Sequence, residues 1–455
     1  MSTDDLAALY SRCLRAVGVT RAFRAPGHAL PAPDGIPVVD VPDADIATLL
    51  ADAEGRLARA PDARPGLALL PGRRVRLSSR PGADVLAHPV VDPAVLVSSI
   101  AGWTLGRVHA AVELEIDLDL SSPAPTDLEA LAYGAADDRL VTLSPTLATL
   151  DMVIVIGPGV VRDGQVAGVA EAARRTGARV VATPGAVGVL PLDDPAWCGA
   201  VGLQAGDAAM AGISAAELVV VAGLDPSQTA GVVPPGVQVL EVEPWHLGLM
   251  AIRWAERDPG PVAAGAGAGV PARSALVDGL AALGAGGRAS SALPLHPVRA
   301  MADLADVLHP EELVLADPGA PALWLERGIV ARPAGSIVVP SLPVRGFAVA
   351  GAVVSALDGR AAVAVVTAPS DPATDALLDL AAALGLSVVC EVWGTDDTWS
   401  SAAEHRERLV GARHEGGVQR LAVPVDLAFT EELLDLAGPV VAWTDVLDDD
   451  LGSAG

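Results

Sequence analysis

Short apolar runs alternate with amphipathic stretches along the middle of the chain. Four of the apolar runs have the length and the β-branched content of buried strands, and the stretch between the first two has the period of a helix. The strand segments are DMVIVIGPG, ARVVATPGAVG, AAELVVVAGLDP and GVQVLEVEP, and the helical segment is DGQVAGVAEAARRTG. Strands that alternate with helices predict a parallel sheet with helices on both faces.

The same alternation returns in the last third of the chain. The pattern there predicts helices at Pro297–Leu308, at Pro372–Leu384 and over GFAVAGAVVSAL. It predicts strands at Glu312–Ala316, Val363–Val366 and Ser387–Val392, and a last strand over GPVVAWTD. The first part of the chain opens with a predicted helix at Asp4–Val17 and closes with the alternating strand GRVHAAVELEIDLDL.

These blocks predict an α/β protein of three consecutive doubly wound parallel-sheet domains. Its 455 residues suit about three domains of ordinary size. We place the domains at residues 1–125, 126–257 and 275–455. A segment rich in Gly, Ala and Pro at residues 258–274 is read as a linker.

Charge and cysteine content narrow the possible functions. Acidic residues outnumber basic ones 56 to 30, every basic residue is arginine, and the net charge is −26. Nucleic acid and anionic membrane surfaces require clustered positive charge, so neither is expected as a partner. The three cysteines are far apart in the sequence and are read as buried free thiols. With no signal peptide or membrane span in the pattern, a cytoplasmic location is expected.

An ordered series of features in the middle block carries a family resemblance. In chain order these features are Gly157-Pro158-Gly159, Thr183, Gly188, Pro191, Asp194-Pro195, Gly199, Gly202 and the strand AELVVVAGLD. Their order and spacing resemble the central domain of thiamine-diphosphate enzymes of the acetolactate synthase and 2-oxo-acid decarboxylase type.

The flanking blocks resemble the other two domains of that family. Pro26-Gly27, Gly55 and Arg59 match the pyrimidine-binding domain, and Asp317, Gly319 and Trp324 match the start of the diphosphate-binding domain. The resemblance implies thiamine diphosphate held with magnesium between subunits of a dimer or tetramer. It points to five cofactor-binding positions, which are Pro26, Gly27, Gly346, Thr367 and Ser370.

The chain departs from the family at the metal motif. The family's Gly-Asp-Gly, whose aspartate binds magnesium, aligns with Thr367-Ala368-Pro369, and Ala368 offers no oxygen ligand. The family's asparagine falls at residues 392–394, which read Val-Trp-Gly. Asp371 is a candidate displaced ligand, although its place before Pro372 favours a helix cap. Asp396 and Asp397 are further candidates for the metal.

The pyrimidine end of the site departs as well. The family's catalytic glutamate lies nine residues before the glycine matched by Gly55, and this chain has Ile46 there. Glu54 is expected on the wrong side of the helix to replace that glutamate. His28, after the Pro26-Gly27 turn, is a candidate catalytic residue, with a surface-loop histidine as the plainer interpretation.

Two arginine features leave alternatives open. Arg162 follows an incomplete glycine fingerprint, so it could meet a nucleotide phosphate or belong to a turn that only maintains the fold. The stretch PGRRVRLSSR is read as a solvated loop, with an anion site as the alternative.

Three hypotheses follow for the function. The first is a degenerate, non-catalytic homologue that acts as a scaffold, regulatory or partner subunit, paired with itself or with an intact thiamine-diphosphate paralogue. The second is an active thiamine-diphosphate lyase or carboligase on a 2-oxo acid, with displaced metal ligands. The third is a protein that binds a nucleotide or another small molecule.

Overall fold

The computed structural model describes residues 5–59, 64–78, 86–101, 111–125, 150–228, 232–248, 273–340 and 342–443. By their internal contacts, residues 1–139 and residues 140–455 form two compact units. None of the helices in the described ranges combines the length and the apolar character needed to cross a bilayer.

The first unit is built on one six-stranded sheet. Its helices are α1 (Leu6–Ala16), α2 (Ala44–Leu57) and α3 (Pro93–Ala101). Its strands are β1 (Ala22–Arg24), β2 (Val38–Asp40), β3 (Gly66–Leu70), β4 (Arg74–Ser78), β5 (Leu86–Val90) and β6 (Val112–Ile116). The strand order is β2-β1-β3-β4-β6-β5, and β4 is antiparallel to both of its neighbours.

The arginine-rich stretch at residues 71–80 was read as a solvated loop, and that interpretation is wrong. Residues 74–78 form β4 in the interior of the sheet, because Val75 and Leu77 alternate with the arginines and are fully buried. Arg74 pairs with Glu113 at 2.9 Å, and Arg76 pairs with Asp52 at 3.1 Å. These two arginines therefore form ion pairs with carboxylates of the same unit.

The central part of the second unit has a fully parallel five-stranded sheet. Its strands are β7 (Met152–Ile156), β8 (Arg179–Ala182), β9 (Trp197–Ala200), β10 (Leu218–Ala222) and β11 (Gln238–Val242), in the order β11-β10-β7-β8-β9. Its helices are α4 (Pro158–Arg162), α5 (Val166–Thr176) and α6 (Asp207–Met210). The helix α5 ends at Gly177, whose left-handed conformation closes it, as the sequence predicted.

The C-terminal part has a second parallel five-stranded sheet. Its helices are α7 (Ala275–Ala289), α8 (Pro297–Val307), α9 (Ala320–Glu326), α10 (Phe347–Leu357), α11 (Pro372–Ala383), α12 (Glu404–Glu415) and α13 (Thr430–Ala437). Its strands are β12 (Leu313–Ala316), β13 (Ile337–Val338), β14 (Ala362–Thr367), β15 (Val388–Trp393) and β16 (Val418–Val423), in the order β13-β12-β14-β15-β16. These two parallel sheets and the mixed sheet of the first unit, in which only β4 is antiparallel to its neighbours, confirm the predicted α/β fold class.

The two sheets of the second unit share one apolar core. Buried residues of β7, β8 and β10 belong to the same cluster as those of β12, α8 and α12. Polar contacts also cross this junction, since the buried Arg327 guanidinium donates to the Asp207 carboxylate at 2.9 Å and to the Ala200 carbonyl at 3.2 Å. Ser274, read as linker, is the N-cap of α7 and donates to the Cys198 carbonyl at 2.7 Å.

The prediction of a last strand over GPVVAWTD is wrong for residues 438–443. The structure has only an isolated bridge there, between Val440 and Gln204. The backbone there bonds to the loop after β9, because Val441 N donates to the Leu203 carbonyl. The edge strand next to β15 in the third sheet is instead β16, which the sequence analysis missed.

The Gly157-Pro158-Gly159 turn brings two backbone segments into direct contact. Gly159 N donates to the Gly223 carbonyl at 2.8 Å, and Gly157 N donates to the Ala222 carbonyl at 2.9 Å. A Cβ at Gly157 would lie 2.3 Å from the Gly223 carbonyl oxygen, so only glycine fits. The turn thus has a role in the fold itself.

We predict that Gly157→Ala destabilises the protein by about 3 kcal/mol, because backbone atoms must move to admit the methyl group. The matched control is Gly411→Ala, since a Cβ at this position in α12 would meet nothing within 4 Å. That variant should gain about 0.5–1 kcal/mol from higher helix propensity. Urea unfolding of both variants measures the difference, and equal effects would contradict the close approach.

Candidate functional site

The candidate site lies where four parallel strands of the third sheet end. Strands β12, β14, β15 and β16 run in register, so their carboxyl ends form one edge. Asp317 follows β12, Thr367 ends β14 and Trp393 ends β15. In open α/β sheets this edge is the usual place for ligands.

Asp317 is the central side chain of this edge, and it is 5% exposed. Its Oδ2 accepts from Gly346 N and its Oδ1 accepts from Ala348 N, both at 2.7 Å, so it occupies the N-terminus of α10. Burial raises the pKa of Asp317 to about 6. The hydrogen bonds from Gly346 and Ala348 lower this pKa, and the nearby Asp371 carboxylate raises it. The chain thus supplies its own anion where a helix N-terminus could receive one.

Strand β14 ends in the loop that aligns with the family's metal motif. Ala368 N donates to the Trp393 carbonyl at 2.8 Å, and this bond continues the parallel ladder in which Thr367 is paired with Trp393. Trp393 is fully buried, and its indole N–H donates to Glu391 at 2.9 Å. No ligand oxygen comes from the side chain at position 368.

The two polar candidates in this loop have structural partners. Asp371 is the N-cap of α11 and accepts from Ala373 N at 2.8 Å, as its place before Pro372 indicated. The Ser370 hydroxyl bonds to Asp375 and to Arg420, which form an ion pair at 2.8 Å. Both side chains are therefore already engaged by the surrounding helix and strand.

The residues at this edge do not fit thiamine diphosphate held by magnesium. Two amides at the start of α10 have Asp317 as acceptor, and position 368 carries a methyl group. Asp396 and Asp397 are exposed in the segment after β15. Within the described ranges, no group of three or more His, Cys, Asp or Glu side chains is placed to hold a metal ion.

The predicted residues of the first unit also gather at carboxyl ends of parallel strands. The Pro26-Gly27 turn follows β1 and is exposed, and the next residue, His28, is half-buried. His28 Nδ1 lies 2.8 Å from the Leu70 carbonyl, so it donates there and Nε2 is the acceptor in the neutral ring. Burial lowers the pKa of His28, with a further decrease from Arg24 and a partial rise from the Leu70 bond.

Ile46 lies in the first turn of α2 and is 2% exposed. Its backbone N donates to the Asp43 cap at 2.9 Å, and its side chain has no proton to exchange. Glu54 is buried, with Oε1 3.2 Å from Arg21 Nε and 3.1 Å from Arg64 Nε. This carboxylate is thus committed to arginines inside the unit.

The edge of the central sheet is filled by the chain's own side chains. Arg162 is buried and donates to Asp225 at 2.7 Å. Beside it, Thr183 donates to the Gln228 side-chain oxygen at 2.9 Å, and the Gln228 amide donates to the Pro184 carbonyl at 2.8 Å. A phosphate at Arg162 would have to compete with the Asp225 carboxylate.

A buried charged cluster on the inner face of the third sheet was missed by the sequence analysis. His405 lies between Glu391 and Asp303, at 3.0 and 3.2 Å, and is fully buried. Burial lowers the pKa of His405, but the two carboxylates outweigh it and raise the pKa to about 9. Asp303 is 102 positions from His405 and Glu391 is 14 positions from it, so no local pattern reveals the cluster.

The fold defines a class of protein. It is similar to the fold of two solved structures. One is the thiamine diphosphate-dependent 4-hydroxybenzoylformate decarboxylase of Rhodococcus jostii RHA1, with a TM-score of 0.64 at 15% identity over 93% of this chain and 99% of that one. The other is a putative thiamin diphosphate-dependent enzyme from Mycobacterium smegmatis, with a TM-score of 0.62 at 17% identity over 92% and 99%.

A family model makes the assignment more specific. Residues 149–245 match the central domain of thiamine pyrophosphate enzymes, thiamine pyrophosphate being another name for thiamine diphosphate. No curated protein matches the sequence. The chain therefore contains this central domain and has the fold of thiamine-diphosphate enzymes, which confirms the resemblance read from the sequence. Identities of 15–17% support the fold alone.

We predict that the titration of Asp317 makes the protein less stable as the pH rises. Its pKa is about 6 in the folded protein against an ordinary 3.8, so between these values the folded state retains a proton that the unfolded state has released. The free energy of unfolding should fall by about 2 kcal/mol as the pH rises from 4 to 6. In Asp317→Asn this fall should vanish. Parallel urea-unfolding profiles of the two proteins over this range would contradict the assignment.

The His405 cluster should make stability depend on pH in a second, more alkaline range. A folded-state pKa of about 9 against 6.5 means that the folded protein loses about 3 kcal/mol of stability as the pH rises from 6.5 to 9. Glu391→Gln should lower the pKa of His405 and flatten that profile. NMR titration of the imidazole tests this directly, and a wild-type value of 6.5 or less would rule it out.

Proposed function

We propose that this chain is a non-catalytic homologue of thiamine-diphosphate enzymes that retains their scaffold. It acts in the cytoplasm as a scaffold, regulatory or partner subunit. It associates with itself as a dimer or tetramer, or with an intact thiamine-diphosphate enzyme. Neither nucleic acid nor membrane is proposed as a partner, because the chain carries a net charge of −26.

The alanine at position 368, where the resemblance places the metal-binding aspartate, is the observation that supports this proposal most strongly. Magnesium needs oxygen ligands near 2.0–2.1 Å in an octahedral arrangement. At the two segments that align with the metal motif, the chain places the methyl group of Ala368 and the sequence Val392-Trp393-Gly394. None of these side chains carries an oxygen that could bind the metal.

The negative charge at this edge also argues against binding of the cofactor. Asp317 is buried there, and Asp371 lies close enough to influence its titration. Without a cation, a diphosphate would add further negative charge beside these carboxylates. Two unit charges about 4 Å apart repel each other by about 4 kcal/mol at an effective dielectric constant of 20. The site as built therefore disfavours the anionic end of the cofactor.

The pyrimidine end gives independent support. Ile46 stands where the family has its catalytic glutamate, and Glu54 is engaged by Arg21 and Arg64. These residues are in the first unit, and the metal-motif positions are in the second. The absence of the family's residues at both places is explained more simply by a site that no longer binds the cofactor than by a single change with a compensating ligand.

An active lyase or carboligase on a 2-oxo acid is the alternative. It requires Asp371 to leave its helix cap, or Asp396 or Asp397 to turn inward and bind magnesium. A nucleotide-binding role would place a phosphate at Arg162 beside the Asp225 carboxylate, which repels it. The first route needs a helix cap to break or an exposed side chain to turn inward, and the second brings two negative charges together, so neither is preferred.

We predict that isothermal titration calorimetry detects no binding of thiamine diphosphate at 1 mM in the presence of magnesium. An active thiamine-diphosphate decarboxylase in the same buffer is the positive control, and light scattering on the same sample should report a dimer or tetramer. Binding at micromolar affinity would refute the proposal. In that event Asp371→Ala separates the alternatives, because it abolishes binding only if Asp371 holds the metal.

A further inference from the structure

His296 lies where three other helices of the second unit meet the start of α8. It is the N-cap of α8 and is 6% exposed. Its ring contacts Phe429, the N-cap of α13, with 4.3 Å between the ring centroids, and it meets Trp324 of α9 edge-on at 5.5 Å. On the third side is Gly287 of α7, where a Cβ would lie 2.4 Å from His296 Nδ1. The ring is therefore enclosed on three sides by residues without charge.

The hydrogen bond made by His296 requires a neutral imidazole. Nδ1 accepts from Val298 N at 3.1 Å, so this nitrogen carries no proton and the hydrogen is on Nε2. Nε2 faces Oε2 of Glu432 on α13 at 3.7 Å. A proton on Nδ1 would point at the Val298 N–H. The helix cap and the second proton therefore exclude each other.

Burial opposes the protonation of His296, and two carboxylates favour it. Burial lowers the pKa of His296, whereas Glu432 and Asp426 raise it, and the net change is downward. The Glu432 side chain is 40% exposed, so solvent weakens its attraction. The arginine one turn along α8, Arg299, is paired with Asp303 at 3.1 Å. The dipole of α8 adds to the opposition, because it repels a cation at the helix N-terminus.

The first and last turns of α13 are held by different groups. At its start, Phe429 packs on the His296 ring, and the Thr430 hydroxyl accepts from the indole N–H of Trp324 at 3.1 Å. At its end, the Ala437 carbonyl accepts from the loop after β9 at 2.8 Å. The first turn therefore rests on the His296 ring and on the tryptophan that packs against it.

We propose that His296 acts as an acid-sensitive switch for α13: the neutral imidazole holds the first turn of this helix in place, and protonation releases it. Histidine suits such a switch, because its ordinary pKa lies close to neutral pH. Release uncovers Leu433, which is fully buried in the shared apolar core of the second unit. The proposal does not depend on whether thiamine diphosphate binds.

Acid weakens this contact because the opened form binds the proton more tightly. In the folded protein the pKa of His296 is below its ordinary 6.5, so the contact contributes fully above pH 6.5 and is lost as the pH falls. Asp317 acts in the opposite direction, since its protonated form stabilises the folded protein at low pH. A measurement of the switch must therefore be local to α13.

Hydrogen–deuterium exchange on the full chain gives that local measurement. The amides of residues 434–437 bond to carbonyls of the first turn of α13, so they report its opening. We expect their protection, corrected for intrinsic exchange and divided by that of α5, to fall about tenfold from pH 7.5 to pH 5. His296→Asn should abolish this fall, because asparagine offers an oxygen acceptor to Val298 N and does not titrate.

His414→Asn is the matched control, since His414 is an exposed histidine on α12, and it should keep the tenfold fall. A second variant, Glu432→Gln, leaves the imidazole in place. Loss of this carboxylate should lower the pKa of His296, read by NMR, and move the fall in protection to lower pH.

Three results would overturn the proposal. The first is equal relative protection of α13 at the two pH values in the wild-type protein. The second is a His296→Asn variant that loses protection as the wild type does. The third is a Glu432→Gln variant whose fall in protection has the wild-type midpoint. If His296→Asn does not fold, the wild-type profile and Glu432→Gln decide the question.

Discussion

The carboxylate of Asp317 on the amides of Gly346 and Ala348 sets the geometry of the candidate site. It fixes the start of α10 against the end of β12, and it places a buried negative charge at the edge where strands of this fold meet their ligands. Ala368 contributes only a methyl group to this edge, and Asp371 there caps a helix. That edge has the architecture of an anion site and is satisfied from within.

Such a site can be lost without loss of the fold because different residues support each. The sheets rest on buried aliphatic side chains and on close backbone contacts such as that between Gly157 and Gly223. Metal and cofactor ligands contribute little to that packing, so this scaffold can carry Ile46 and Ala368 at the positions where the family resemblance implies ligands. A fold therefore carries no activity by itself, and function must be argued from the site.

Sequence reasoning succeeded where local chemistry decides structure. The buried strands β7, β10 and β14 follow from apolar runs, and the cap at Asp371 follows from its neighbour Pro372. Sequence reasoning failed where contacts with distant parts of the chain determine the local structure. The edge strand β16 carries polar residues and lacks a clear period, and GPVVAWTD bonds to a loop in another part of the unit. The His405 cluster and the role of Asp317 join residues distant in the sequence, so only the fold brings them together.

The shared core of the second unit has a consequence for how the molecule comes apart. The central sheet and the third sheet bury one apolar cluster, and Arg327 joins them through hydrogen bonds. Elements that bury the same surface melt together as one cooperative block. A break in the covalent chain between the two sheets would accordingly leave two fragments held as a non-covalent complex. Neither fragment could be exchanged for a foreign domain without rebuilding the surface that it shares with the other.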